Sequence, residues 1–288
     1  MRSTAKTATT DAMIVAVASG KGGTGKTTVA TNLALSIGTV HFIDCDVEEP
    51  NANVFLKADI ASQEDVTVKV PEIDDGRCDY CGDCADFCAY NALAVVPGQV
   101  LVFPELCHAC LGCRLVCPRD AITFTERPVG ILEHGTTNDI SFSHGLLNVG
   151  EIQAIPLIKA LKHGLDGDVI IDAPPGTSCP VIESVQDADY AILVTEPTPF
   201  GLHDLQLMVD VMEQLHIPYG VVINRNGIGD AGVEDFCREK SIPVLMRIPQ
   251  STEIARLYSR GEAFVASHPE WQQRFRGLWE RIRSEVAE

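Results

Sequence analysis

The chain is 288 residues long and 45% hydrophobic, enough to bury a sizeable core in one large domain or two smaller ones. Acidic residues outnumber basic ones by 40 to 22, and the net charge of -18 sets the chain against nucleic-acid backbone and anionic lipid and suits a cationic partner. Of 11 cysteines, eight fall between Cys78 and Cys117, which excludes a scattered disulfide framework and points to metal-holding thiols in a reducing, cytoplasmic compartment.

Residues 1–11 are polar and threonine-rich and are expected to form a disordered tail. No later run reaches the roughly 18 apolar residues of a membrane span. The run Met13 to Ala18 predicts a buried strand, followed by a glycine-rich turn and a helix through Ile37. His41-Phe42-Ile43 predicts a second strand, ending at Asp44. After Gly130 the alternation resumes, with short apolar runs at Asp168–Asp172, Tyr190–Val194 and Tyr219–Ile223. Continuous apolar runs separated by helical lengths predict a parallel sheet covered on both faces. At the C-terminus Trp271, Phe275, Leu278, Trp279 and Ile282 recur at helical spacing. Their polar face mixes both charge signs, so the expectation is core packing rather than a lipid anchor.

Between these parts lies an expected insert, residues 59–130, with an internal repeat. Cys78, Cys81, Cys84 and Cys88 recur 29 positions later as Cys107, Cys110, Cys113 and Cys117, followed by Asn91-Ala92-Leu93 and Asp120-Ala121-Ile122. The part outside the insert is expected to be discontinuous, 12–58 and 131–288.

Gly20-Lys21-Gly22-Gly23-Thr24-Gly25-Lys26-Thr27-Thr28 contains G-x-x-x-x-G-K-[ST] between a predicted strand and a predicted helix. Its glycines turn backbone N–H groups onto phosphate oxygens at a helix N-terminus. Lys26 is expected at the β/γ-phosphates and Thr27 on Mg²⁺. The run C-x2-C-x2-C-x3-C, present twice, is the bacterial ferredoxin pattern. One 4Fe–4S cluster is expected on Cys78, Cys81, Cys84 and Cys117, the other on Cys88, Cys107, Cys110 and Cys113. Structural zinc is the competing reading. His108 is expected to shield a cluster rather than ligate one.

The second lysine of the loop, Lys21, makes it similar to the deviant Walker A loop of the MinD/Mrp/ParA family of P-loop ATPases. The resemblance covers the chain outside the insert. It implies a mostly parallel, doubly wound α/β sheet carrying a ferredoxin-like insert, and a homodimer in the ATP state in which Lys21 reaches the partner's phosphates. Asp44-Cys45-Asp46 looks like the family's switch I, with Asp46 positioning the attacking water. Asp172-Ala173-Pro174-Pro175-Gly176-Thr177 looks like Walker B and switch II, with Asp172 on the Mg²⁺ shell and Gly176 near the γ-phosphate. Asn224 matches the adenine-reading asparagine. Thr195 to Gly201 and Asn148 to Glu151 also resemble the ferredoxin-bearing branch. Three functions are compatible with this: ATP-dependent electron transfer with a partner protein, ATP-dependent maturation or carriage of a metal cluster, and positioning with the clusters as sensors.

Overall fold

A computed structural model describes residues 12–287, so the expected N-terminal tail lies outside the described residues. The chain begins with β1 (Ile14–Ala18), α1 (Lys26–Ile37), β2 (Val40–Asp44) and the single turn α2 (Asn53–Leu56). The long strand β3 (Asp59–Ile73) leads into the cysteine-rich segment: α3 (Asp83–Phe87), the hairpin β4 (Leu93–Val96) and β5 (Gln99–Val102), then α4 (Gly112–Leu115). The equally long β6 (Ile122–Thr137) leads back, followed by β7 (Ile140–Leu147) and α5 (Ile155–Leu161). The remainder alternates: β8 (Val169–Asp172), α6 (Cys179–Val185), β9 (Tyr190–Thr195), α7 (Pro199–Leu215), β10 (Tyr219–Asn226), α8 (Gly232–Glu239), β11 (Val244–Pro249), α9 (Thr252–Ser259) and α10 (Pro269–Ala287).

Nine strands form one sheet in the order β11-β10-β9-β1-β8-β2-β7-β6-β3. Every pair from β11 to β7 is parallel, while β6 pairs antiparallel with both β7 and β3. Alternate strand residues serve opposite faces, as the period of two requires. Ala16, Ile43 and Ile171 pack with α5, α6, α7 and α8 residues such as Leu157, Val181, Met208 and Val233. Val17, Phe42 and Ile170 pack with Leu33 of α1 and with Trp271, Phe275 and Ile282 of α10. The C-terminal aromatic stripe is therefore core, and no described helix is long and apolar enough to cross a membrane.

The edge formed by β6 and β3 connects the two regions. The two strands pair from Asp59↔Thr136 to Ile73↔Ile122, so the boundary expected after Gly130 falls inside a continuous strand. The cysteine-rich segment has its own small core of Cys84, Leu93, Val100, Cys113 and Ile122. The short helices α3 and α4 lie within the two cysteine runs, and strand follows each run.

Candidate functional site

The first site lies at the carboxyl ends of β1, β2 and β8. Gly25 caps α1 with φ of 97°, a left-handed conformation that glycine adopts freely. A Cβ there would stand 2.3 Å from Asn224 Nδ2, and one on Gly20 would stand 2.2 Å from the Asp204 carbonyl oxygen. Both positions need glycine for close approach as well. Gly22 and Gly23 complete the turn, and Thr28 lies in the first turn of α1, whose leading N–H groups have no partner within the helix.

Lys26, at the start of α1, is buried. Burial pushes its ammonium pKa down, while Asp172, Asp46 and Asp44 pull it up. The adjacent registers Asp44↔Asp172 and Val17↔Asp172 explain that gathering, because three parallel strands end together. Asp44 caps the following turn: Oδ1 accepts from Asp46 N–H at 3.1 Å, and Oδ2 accepts from Asn51 and Ala52 N–H at 3.0 Å each. Burial nevertheless pushes it up to about 6. Asp172 is also raised well above the carboxylate range, by burial and then by Asp44, although the Thr27 hydroxyl and Lys26 oppose this. Both Asp172 carboxylate oxygens and the Thr24 hydroxyl are buried, and among the described residues none of them has a partner in full hydrogen-bond geometry. A buried carboxylate facing a threonine hydroxyl and a lysine suits a hard cation and a phosphate.

The segment after β8 is tied to the turn, since Gly176 N–H donates to the Ser19 carbonyl at 3.1 Å. Asn224 donates from Nδ2 to the Thr24 carbonyl at 2.8 Å. Lys21 is held within its own chain: Nζ lies 2.8 Å from Glu196 Oε1, whose other oxygen is 3.1 Å from Arg225 Nη1. Glu196 stands in the quoted Thr195–Gly201 motif, yet nothing in the sequence indicates that it holds Lys21. Cys45 is buried and its thiol is pushed up to about 12, so it stays a neutral packing group. Cys237 is buried in α8, and Cys179 is exposed at the start of α6.

The second site comprises two cavities in the cysteine-rich segment. Cys78, Cys81, Cys84 and Cys117 line one, walled by Ile73, Val95, Val100 and Ile122. Cys88, Cys107, Cys110 and Cys113 line the other, walled by Phe87, Tyr90, Leu93 and Phe124. Each cavity takes three thiols from one half of the repeat and one from the other. The halves also match in backbone. Tyr80 and Ala109 (φ 59° and 52°), Gly82 and Leu111 (94° and 61°), and Asn91 and Asp120 (54° and 47°) all adopt left-handed conformations at equivalent positions. For a side chain such as Leu111 that costs about 1–2 kcal/mol. Ala92 N–H donates to Cys88 Sγ at 3.3 Å, and Ala121 N–H donates to Cys117 Sγ at 3.4 Å. His108 stacks on Tyr90 with ring centroids 3.6 Å apart. Among the described residues no three His, Cys, Asp or Glu side chains are gathered closely enough to hold one metal ion.

A parallel sheet whose first strand runs through a glycine turn into a helix, with acidic residues ending the neighbouring strands, defines a P-loop nucleotide-binding protein. The chain belongs to the CobQ/CobB/MinD/ParA nucleotide-binding domain family, whose model matches residues 15–264. It is 33% identical over 261 residues to an uncharacterized protein of Methanocaldococcus jannaschii, across 88% of this chain and 91% of that one. It is 26% identical over 254 residues to an iron-sulfur cluster carrier protein of Pyrococcus abyssi, across 82% of this chain and 73% of the other. Among solved structures, the septum site-determining protein MinD complexed with Mg-ADP, from Pyrococcus horikoshii, superimposes with a TM-score of 0.58 at 21% identity, covering 94% of this chain and 96% of that one. That likeness shows the fold.

Proposed function

We propose that this chain binds and hydrolyses MgATP, carries two 4Fe–4S clusters, and exchanges electrons with a partner protein as nucleotide switches its dimeric state. The pair of cysteine cavities is the observation that supports this reading best. A cluster spreads four thiolates over its outside. One structural zinc ion takes four ligands, whereas the eight cysteines here divide into two sets of four, one lining each cavity. The left-handed residues at Tyr80, Ala109 and Leu111 carry strain that an empty surface loop has no reason to keep. A bound cluster supplies one-electron storage, at a potential set by charge, burial and N–H···S bonds. The chain contributes the thiolates, the amides of Ala92 and Ala121 aimed at sulfur, and walls of aliphatic and aromatic side chains.

In the nucleotide site, the amides of Gly22 to Thr28 would cradle the phosphates, and Lys26 would neutralise the β/γ oxygens. Thr27 would bind Mg²⁺ directly, and Asp172 would complete its shell. The Asp172 oxygens, buried and without a hydrogen-bond partner among the described residues, fit that role. Asp46 would orient the attacking water, Gly176 would meet the γ-phosphate, and Asn224 would read the base. Lys21 would leave Glu196 for the phosphates of a second copy.

A second reading is carriage of an iron–sulfur cluster as cargo, favoured by the likeness to the iron-sulfur cluster carrier protein of Pyrococcus abyssi. Transfer of labelled iron to an apo-ferredoxin on MgATP addition would select it; retention of the iron would select resident clusters. The primary test is composition. Protein purified anaerobically should contain about eight iron and eight acid-labile sulfide per chain, two groups of four. One zinc per chain and no sulfide would refute the cluster reading.

A further inference from the structure

The two halves of the cysteine repeat match in backbone but differ in what stands behind them. Arg127, on β6, is joined to the second half by a chain of contacts: it pairs with Glu151, Glu151 Oε1 accepts from Gln153 N–H at 3.0 Å, and Gln153 Nε2 donates to the Cys107 carbonyl at 2.7 Å. One of its Nη atoms is paired with Glu151, whose side chain is only 4% exposed. Its Nε and other Nη are buried with no hydrogen-bond partner among the described residues. Buried charged donors without acceptors are costly, so their retention points to something nearby that takes up the charge. The first half has no equivalent: 29 positions earlier stands Gly98, in the turn between β4 and β5. Arg119 does line the first cavity, but its side chain is 58% exposed and lies 2.8 Å from Asp79, where solvent screens it.

Glu151 is held in a loop with three attachments. Leu147 N–H donates to the Val47 carbonyl and Asn148 N–H to the Val129 carbonyl, both at 2.9 Å. Gln153 Nε2 donates to the Cys107 carbonyl at 2.7 Å. The next residue, Ala154, lines a cleft together with Asp46, Glu48, Pro174, Pro175 and Ser178. The loop thus spans from the two nucleotide-facing segments to the wall of the second cysteine cavity.

We infer that Arg127 sets the electron affinity of the cluster held by Cys88, Cys107, Cys110 and Cys113, making it the more easily reduced of the two, and that Glu151 governs how much of that charge the cluster feels. The inference rests on the cluster reading above. The electron comes from an external low-potential one-electron donor protein, adds one negative charge to the bound group, and is stabilised by the guanidinium. The loop from Leu147 to Ala154 is the physical route by which movement at Asp46 and Pro174 alters the Arg127–Glu151 pair, and it meets the second site at the Cys107 carbonyl.

The test is an equilibrium redox titration of the full-length, cluster-loaded chain, followed by EPR, with the two signals assigned through Cys110→Ala and Cys81→Ala. Arg127→Gln should weaken reduction of the second cluster about tenfold, a fall of 59 mV for one electron, and leave the first unchanged. Glu151→Gln should shift the same signal upward, and Arg127→Lys should retain most of the wild-type value. If Arg127→Gln fails to fold, the opposed behaviour of Glu151→Gln and Arg127→Lys decides the matter. Unmoved potentials, or equal shifts of both signals, would overturn the inference. A wild-type chain without iron fails the cluster reading instead, and that result appears before any variant is made.

Discussion

Asp172 carries the most evident unbalanced cost in the nucleotide site. Its carboxylate is fully buried, faces Asp44, and has, among the described residues, no partner in full hydrogen-bond geometry at either oxygen. Because its folded-state pKa lies above its unfolded one, the folded state binds the proton more tightly. That contribution to stability is fully present below the unfolded pKa and is lost as pH rises through the folded value. Asp44, pushed up to about 6, behaves likewise between about pH 4 and 6. Asp172→Asn should therefore raise the melting temperature of the nucleotide-free protein by a few degrees at pH 7, while greatly weakening Mg²⁺-dependent nucleotide binding. Calorimetry with and without MgADP measures both, and a variant of lower intrinsic stability with normal binding would contradict the assignment. Lys21 offers a second residue-scale test. Its pairing with Glu196 keeps it inside its own chain. Lys21→Ala should still bind ATP but fail to dimerise in sedimentation; dimerisation at the wild-type concentration would remove its role across an interface.

The cysteine runs with their short helices are the elements that divide the thiols between two cavities. Since each cavity borrows its fourth thiol from the opposite half, Cys117→Ala should damage the cluster built on Cys78, Cys81 and Cys84, and Cys88→Ala should damage the other. EPR and iron content report this, and loss of each variant's own-loop cluster instead would exclude the crossed arrangement. The repeat itself was legible in the sequence because the 29-residue shift of the four cysteines carries it. The central parallel strands were legible too, since Val169 to Ile171 and Ala191 to Val194 are buried on both faces and read as unbroken apolar runs. The antiparallel edge was not. The first seven residues of β3 are exposed, and Gln63, Glu64 and Asp65 give no apolar alternation to read. They are strand only because β6 supplies their hydrogen bonds. The partners of Lys21, Cys107 and Arg127 stayed hidden for a related reason. Glu196, Gln153 and Glu151 lie 175, 46 and 24 positions away, and only the folded sheet brings them together.

At the scale of the whole molecule, β3 and β6 join the nucleotide sheet to the cysteine segment without a flexible linker, and the loop from Leu147 to Ala154 braces the two. A net charge of -18 steers a cationic partner toward this body and an anionic one away. Under the proposed function, such bracing is the route by which the two sites are linked. If nucleotide binding alters the reduction free energy, reduction must alter nucleotide affinity by the same factor. Couplings of this kind are typically about 1–3 kcal/mol, and about 1.4 kcal/mol corresponds to roughly 59 mV for one electron. The measurement that tests this most directly is the pair of cluster midpoint potentials in the full chain without nucleotide, with MgADP, and with a non-hydrolysable MgATP analogue. The account predicts a shift of tens of millivolts with the ATP analogue, a smaller one with MgADP, and the larger change at the cluster beside Arg127. Potentials identical in all three states, with equal nucleotide affinity for oxidised and reduced protein, would contradict it.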